Sequence, residues 1–391
     1  MRFRLFPGKR DNKLIYYCTI LLSAVSIVMV ASASVGLASQ ETNAVWINMS
    51  RQVVYFIAGY LCMMLFYYNF NIKRLRYLLP TAAFFLSLLL LATLFFEPIN
   101  GARAWLRFLN FSFQPSEFVK AFVIIYIAVQ FPRFYQTKIS LGEIIRRPAA
   151  VFAFWTIVIV FLQHDWGTAA VIVLIVFVCL LLVRGNTFRP LKFWTKIFLW
   201  GGALALVMLM TPLGVAIVRI LPIAEYQKMR FIAVVDPFMD IYDKTYQLFN
   251  SLVAFGRGKW TGVGFGNSHQ KFGYLPEART DFILPIIVEE LGIVGLFALV
   301  LIPYLLLINQ LFRSALKNNH DGYKIILIGT IGYFFVHFLL NVGGVSAFLP
   351  MTGIPLLLVS SGGSSTICAM SLLGVCQNII NRRKESFDEG D

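Results

Sequence analysis

The chain is a train of long apolar runs joined by short connectors, and this order constrains its fold more than any single motif. About ten runs are long enough to cross the hydrocarbon core of a bilayer as helices: approximately 14–38, 52–70, 77–96, 115–131, 148–163, 167–184, 194–218, 282–312, 323–345 and 355–381. Inside lipid a backbone must satisfy its own hydrogen bonds, so such runs fold as helices. Of the 391 residues, 58% are hydrophobic and only 14% charged, with mean hydropathy +0.74. A soluble domain cannot hide that much apolar surface. The expected fold is an all-α polytopic membrane protein. The first run is too long for a signal-peptide core and many more follow, so it reads as a retained span.

The connectors set the orientation. Lysine and arginine crowd the N-terminus (Arg2, Arg4, Lys9, Arg10, Lys13) and every second connector after it. These hold Lys73, Arg74 and Arg76; Arg133, Lys138, Arg146 and Arg147; Arg184, Arg189, Lys192 and Lys196; Arg313, Lys317 and Lys324; and finally Arg382, Arg383 and Lys384. Cytoplasmic loops carry the basic excess, so both termini are expected in the cytoplasm. The net charge of +15 then belongs to topology and anionic headgroups; no nucleic-acid motif is visible and no such partner is expected. Three parts follow: a basic segment 1–13, one transmembrane domain 14–381, and a cytoplasmic tail 382–391. The one long outer connector, 219–281, lies between the seventh and eighth helices and is expected to be extracellular. It is rich in Phe, Tyr, Ile and Leu, which argues against disorder and for short interfacial helices.

Cysteines 18, 62, 179, 368 and 376 all fall in apolar runs and read as small core residues. The four histidines (His164, His269, His320, His337) are scattered and suggest no metal cage.

Several polar clusters interrupt this pattern. Gly101-Ala-Arg-Ala-Trp-Leu-Arg107 places Arg103 and Arg107 outside, against the positive-inside trend, where guanidinium suits phosphate or carboxylate. Gln114-Pro-Ser-Glu-Phe-Val-Lys120 reads as a helix start, with Glu117 and Lys120 on one face. An internal ion pair and a substrate site both fit that pair. Asp165, in Gln163-His-Asp-Trp-Gly-Thr168, reads first as the cap of the sixth helix; a metal or a substrate amine would also suit it. Tyr226 to Arg230 adds outer basic charge, and the glycines from Gly256 to Gly266 read as flexible turns. From Asn341 to Ser365 the chain is polar and glycine-rich, as a broken helix lining a cavity or tight small-residue packing would be.

The segment Tyr274-Leu-Pro-Glu-Ala-Arg-Thr-Asp-Phe-Ile-Leu-Pro-Ile-Ile-Val-Glu-Glu-Leu-Gly292 sets charge against the mouth of the eighth run. Charge at the edge of hydrocarbon is costly and marks function by default. If 277–281 begin the helix, Glu277 and Asp281 share one face; alternatively Thr280 is the N-cap. Capping with an Arg279 ion pair and general-base chemistry both remain open on pattern alone. Glu289 and Glu290 read as structural carboxylates.

In this order, the pieces resemble the SEDS family of bacterial cell-wall polymerases (shape, elongation, division and sporulation proteins). The resemblance rests on Gly101-Ala-Arg103 with Trp105, Gln114-Pro-Ser-Glu117 with Lys120, Gln163 with Asp165, Gly167 and Thr168, Tyr226 with Arg230, Asp236-Pro237 and Tyr246-Gln247. Leu275-Pro-Glu277, Thr280-Asp-Phe-Ile283, Glu289-Glu-Leu-Gly292, Pro350 with Thr352-Gly-Ile-Pro355, and Gly362-Gly-Ser364 complete it. Gly266-Asn-Ser268 with Gln270-Lys271 is more like the division branch, FtsW, than the elongation branch, RodA, with the sporulation member also close. Some positions depart from the usual pattern: Arg279 for a histidine, Ser361 for a tyrosine, Leu357 for a proline, His164 and Trp166, and Lys259-Trp260 within a glycine pair.

The resemblance implies a peptidoglycan glycosyltransferase of the bacterial cytoplasmic membrane that polymerises lipid II, a disaccharide-pentapeptide on undecaprenyl pyrophosphate. It implies Asp281 as the catalytic acidic residue. The candidate substrate-binding residues are Arg103, Lys120 and Arg230 for the pyrophosphate, with Glu117, Glu277, Lys271 and Ser364 around them. A divalent cation, Mg or Mn, is a possible helper with no ligands assigned. The implied partners are a class B penicillin-binding transpeptidase and other membrane proteins of the division complex. A flippase for lipid-linked precursors, an elongation-type polymerase and a structural scaffold are the competing readings. A flippase places its key charge at the bilayer midplane, a polymerase at the outer face.

Overall fold

Each of the ten apolar runs contains an α-helix in the computed structural model, which describes residues 12–37, 43–99, 101–108, 111–135, 139–220 and 225–388. The basic segment through Asp11, Lys138, Pro222, residues 389–391 and the side chains of Arg383 and Lys384 lie outside the described residues. The helices are α1 (Lys13–Ala33), α2 (Ala44–Asn69), α3 (Ile72–Ala92), α4 (Pro115–Gln130), α5 (Leu141–Ile157), α6 (Trp166–Leu182), α7 (Arg189–Leu209), α8 (Pro212–Ile220), α9 (Glu225–Val235), α10 (Tyr246–Gly258), α11 (Ile283–Leu296), α12 (Ile302–Leu316), α13 (Asp321–Val345) and α14 (Gly363–Asp388). Among the described residues, eight segments are long and apolar enough to cross a membrane, with α11 and α12 joined into one of 34 residues. On the fourth and sixth runs, α4 and α6 have 16 and 17 residues.

Several boundaries differ from the sequence reading, each for a local reason. The fifth helix starts at Leu141, not at Pro148, because the Ser140 hydroxyl accepts the Glu143 N–H at 3.3 Å and caps it. The seventh run breaks at Thr211-Pro212 into α7 and α8, since proline cannot donate to the turn before it. The last run becomes helical only at Gly363, after the irregular segment 346–362. One short antiparallel hairpin, β1 (Leu106–Phe108) with β2 (Phe111–Phe113), was not expected in an all-helical chain. The long connector 219–281 does hold short helices, α9 and α10.

The eighth run is bent in its middle. Gly292 has φ 70° and ψ 179°, so the N–H groups of Ile293 and Val294 leave the helical ladder. They donate instead to the carbonyls of Lys259 and Trp260, both at 3.0 Å. In return, Val263 and Gly264 donate to the carbonyls of Glu289 (2.9 Å) and Glu290 (3.1 Å). Segment 259–264 thereby satisfies the backbone groups that the break exposes. The approach is close enough that a Cβ on Gly258, Gly262 or Gly292 would run into the facing backbone. These glycines are packing positions rather than flexible turns; only Gly256 and Gly266 of the cluster face open space.

Packing is uneven around the bundle. α14 lies along α2, where a Cβ on Gly374 would strike the Met63 carbonyl and one on Gly59 the Met370 sulfur. Close approach of this kind replaces the missing hydrophobic drive between helices in lipid. By contrast α7 is almost uncovered, with Trp200 77% exposed, as a lipid-facing helix would be.

Candidate active site

Asp281 sits in a tight turn that ends at the start of α11. The Glu277 carbonyl accepts the N–H of both Thr280 (3.1 Å) and Phe282 (3.2 Å), and Glu277 itself takes a left-handed φ of 57°. Residues 277–281 therefore do not begin the helix; Phe282 holds the N-cap position. Thr280 is not the cap either, because its hydroxyl donates to the Glu277 carboxylate at 2.8 Å. The turn still brings the two carboxylates into each other's field.

Three other elements close around it. From α13, the Asn341 amide donates to the carbonyls of Asp281 and Ile354, both at 2.9 Å. From the irregular segment comes Gly353, with φ 70°; a Cβ there would stand 3.4 Å from Asp281 Oδ2. The Ser361 N–H donates to the Arg279 carbonyl at 2.9 Å, so two positions that depart from the family pattern meet directly. Gly167 of α6 packs against the Thr352 carbonyl, where no side chain would fit.

The Asp281 carboxyl is pushed up to about 7, first by burial and next by the charge of Glu277. Arg230, half-buried on α9, pulls in the opposite direction, and Asp165 adds a smaller push upward. Asp165 caps α6 as read from sequence: Oδ1 accepts the Thr168 N–H at 3.0 Å. Its other oxygen accepts the Gln114 amide at 3.1 Å. Neither its charge effect on Asp281 nor the Asn341 brace is legible in sequence, because each joins segments far apart in the chain.

The remaining candidate residues separate into two groups. Arg230 and Glu277 act on Asp281 through charge, and Glu277 is exposed. Arg103 is exposed just before β1, and its N–H donates to the Gln163 carbonyl at 2.9 Å, which ties it to the turn before α6. The others are inside the protein. Glu117 and Lys120, 2% and 1% exposed, form an ion pair of 2.7 Å. Tyr333 donates to Glu117 at 3.1 Å. The internal-pair reading of these two is the one the structure contains, and Lys120 presents no free ammonium to a pyrophosphate. Lys271 is likewise corrected: fully buried, it donates to Glu290 (2.8 Å), the Gly266 carbonyl (2.7 Å) and Ser32 (3.1 Å). Ser364 is buried, and its hydroxyl accepts the Gln114 N–H at 2.9 Å, joining α14 to the start of α4. Glu289 is structural, accepting from Ser268 (2.5 Å), the His269 N–H (3.2 Å), the Gln270 N–H (3.3 Å) and Arg257 (3.2 Å). Among the described residues, no group of three or more His, Cys, Asp or Glu stands close enough to hold a metal ion.

Fold and site together define a polytopic membrane protein with a partly shielded carboxylate beside an arginine, at the end of a helical bundle. A sequence model of the FtsW/RodA/SpoVE family, described as cell cycle protein, matches residues 12–385. A probable peptidoglycan glycosyltransferase FtsW of Haemophilus influenzae is 31% identical over 387 residues, covering 96% of this chain and 92% of the relative. One from Pseudoalteromonas translucida is 34% identical, covering 92% and 86%. Among solved structures, a chain of a peptidoglycan synthase complex that coordinates polymerization and crosslinking superposes with TM-score 0.70 at 26% identity, covering 96% of this chain and 98% of that one. The rod shape determining protein RodA of Thermus thermophilus shares the fold, with TM-score 0.63 at 24% identity over 95% of this chain and 97% of that one. The chain belongs to the FtsW/RodA/SpoVE family and is a multi-pass protein of the cytoplasmic membrane.

Proposed function

We infer that this protein polymerises lipid II into glycan strands at the outer face of the membrane, with Asp281 as the general base. The activity is that of a peptidoglycan glycosyltransferase. The observation that carries the base assignment is the half-buried Asp281 carboxyl, raised to about 7 beside Arg230. A base poised near the working pH combines an ionised fraction with real proton affinity. Asp281 takes the proton of the acceptor sugar 4-hydroxyl. The freed oxygen bonds to the donor's anomeric carbon, the bond from that carbon to the pyrophosphate oxygen breaks, and the configuration inverts. Arg230, and Arg103 from the exposed edge, neutralise the departing pyrophosphate. Among the described residues no group of three or more His, Cys, Asp or Glu stands close enough to hold a cation; Mg or Mn would arrive on the pyrophosphate oxygens.

The placement follows from the basic connectors: ten crossings, both termini inside, and connector 219–281 with Asp281 outside. A single transmembrane domain over 14–381 and the division role complete this reading. The partner is a class B penicillin-binding transpeptidase, with other division-complex membrane proteins; the structural neighbour that couples polymerization to crosslinking supports that pairing. The test is purified protein with such a partner and labelled lipid II in vesicles. Glycan chains of increasing length support the reading, whereas lipid transfer across the bilayer without chain growth makes the protein a flippase.

A further inference from the structure

Two side chains one turn apart on α13 hold consecutive carbonyls of the irregular segment that walls the site. Asn341 donates to Ile354 O at 2.9 Å, and His337 Nδ1 lies 3.1 Å from Pro355 O. This segment has no helical ladder or strand partner, and Gly353 within it faces Asp281. Around Gly353, the carbonyls of Ile354 and Pro355 are held by these two α13 side chains, while the Ser361 N–H ties the far end of the segment to the Arg279 carbonyl.

The neighbours of His337 also fix its proton. The ring is fully buried, and Nε2 lies 3.2 Å from Lys120 Nζ, which is itself paired to Glu117 at 2.7 Å. An ammonium only donates and a carbonyl only accepts. Nε2 must then carry the lone pair and Nδ1 the hydrogen, an assignment both neighbours require independently. The other titratable groups at this junction are Tyr333 on the same helix and Cys368 of α14, which meets the Glu117 carbonyl at 3.2 Å.

We propose that His337 is a positioning residue for Asp281: through Pro355 it seats the 353–355 segment against the carboxylate, and the buried Glu117–Lys120 pair holds the imidazole in the donating tautomer. This gives the Glu117–Lys120 pair a part in the reaction without contact to substrate. It also explains why two charges are kept deep in the bundle, where isolated charge is costly. The proposal rests on Asp281 being the base.

The test uses the full-length protein with its partner, comparing His337→Gln and His337→Leu. Glutamine offers one amide acceptor for Lys120 and one amide donor for Pro355; leucine offers neither. A misplaced base lowers kcat and kcat/KM together, so His337→Leu is expected to lose about tenfold or more in kcat with KM within about twofold, while His337→Gln stays within about threefold of wild type. Nitrogen-15 imidazole spectra should show His337 as the neutral Nδ1–H tautomer, unchanged in Asp281→Asn. A wild-type kcat in His337→Leu, a matching loss in His337→Gln, or an Nε2–H or charged ring overturns the proposal. Should His337→Leu fail to fold, the glutamine rate and the tautomer decide. An Asp281→Asn protein that still polymerises defeats the base assignment and with it the positioning role, whereas the His337 tautomer, read without activity, fails or holds separately.

Discussion

Replacing Lys271 with methionine strands a charge. Lys271 and Glu290 are both 0% exposed and meet at 2.8 Å. Removing one partner of such a pair costs about 3–5 kcal/mol, because the survivor stays buried and uncompensated. Glu290 keeps the Ser32 hydroxyl at 2.7 Å and a weak Ser268 N–H at 3.4 Å, which puts the expected loss at the low end, about 3 kcal/mol. That is on the order of a hundredfold in the folding equilibrium, at about 1.4 kcal/mol per factor of ten. Reversible unfolding in mixed micelles, followed by tryptophan fluorescence, measures it. The double variant with Glu290→Gln removes the stranded charge and should recover most of the loss. A Lys271→Met protein of wild-type stability but raised KM would refute the reasoning, and would return Lys271 to the substrate, where the sequence alone had put it.

Polymerisation should fall as pH drops through about 7, where Asp281 takes up its proton. Glu277→Gln should move that acidic limb to lower pH and Arg230→Ala to higher pH, since their charges act on Asp281 with opposite sign. Stability runs the other way: a carboxyl raised from 3.8 to about 7 binds an extra proton in the folded state, so stability falls as pH rises between those values. Asp281→Asn should consequently stabilise the protein above pH 7 and be neutral near pH 4, as read from unfolding curves at the two pH values. Gly292→Ala should lower stability by more than about 1 kcal/mol, since positive φ and backbone contact both oppose a Cβ. Gly256→Ala, in helix and facing open space, should instead gain about 0.5 kcal/mol or more.

What could be read from sequence followed the range of the interaction involved. Apolar runs of bilayer length report local hydrogen bonding, and each produced its helix. The Asp165 cap is also local, three residues from the N–H it accepts. What escaped depends on partners distant in the chain. Sequence leaves Lys120 open between an internal pair and a substrate contact and sets Lys271 among the substrate candidates; His337 lies 217 residues from Lys120, and Ser32 lies 239 from Lys271. The bend at Gly292 was masked because its exposed carbonyls and N–H groups are satisfied by 259–264, a segment outside the run. Glycines at 258, 262 and 292 carry the signal of two backbones in contact, a spacing that turns share. Asp281 was legible because charge at the mouth of an apolar run is conspicuous, although the turn that presents it is not the helix its spacing suggested.

The central claim is that Asp281 takes the proton from the acceptor hydroxyl. Asparagine at this position keeps the size and removes the base, while the turn and the bond from the Asn341 amide to the Asp281 carbonyl use no side-chain atom of residue 281. Purified Asp281→Asn protein, with its transpeptidase partner and labelled lipid II, should fold, bind substrate and make no glycan chains above background. Chain growth at the wild-type rate by that variant would contradict the account.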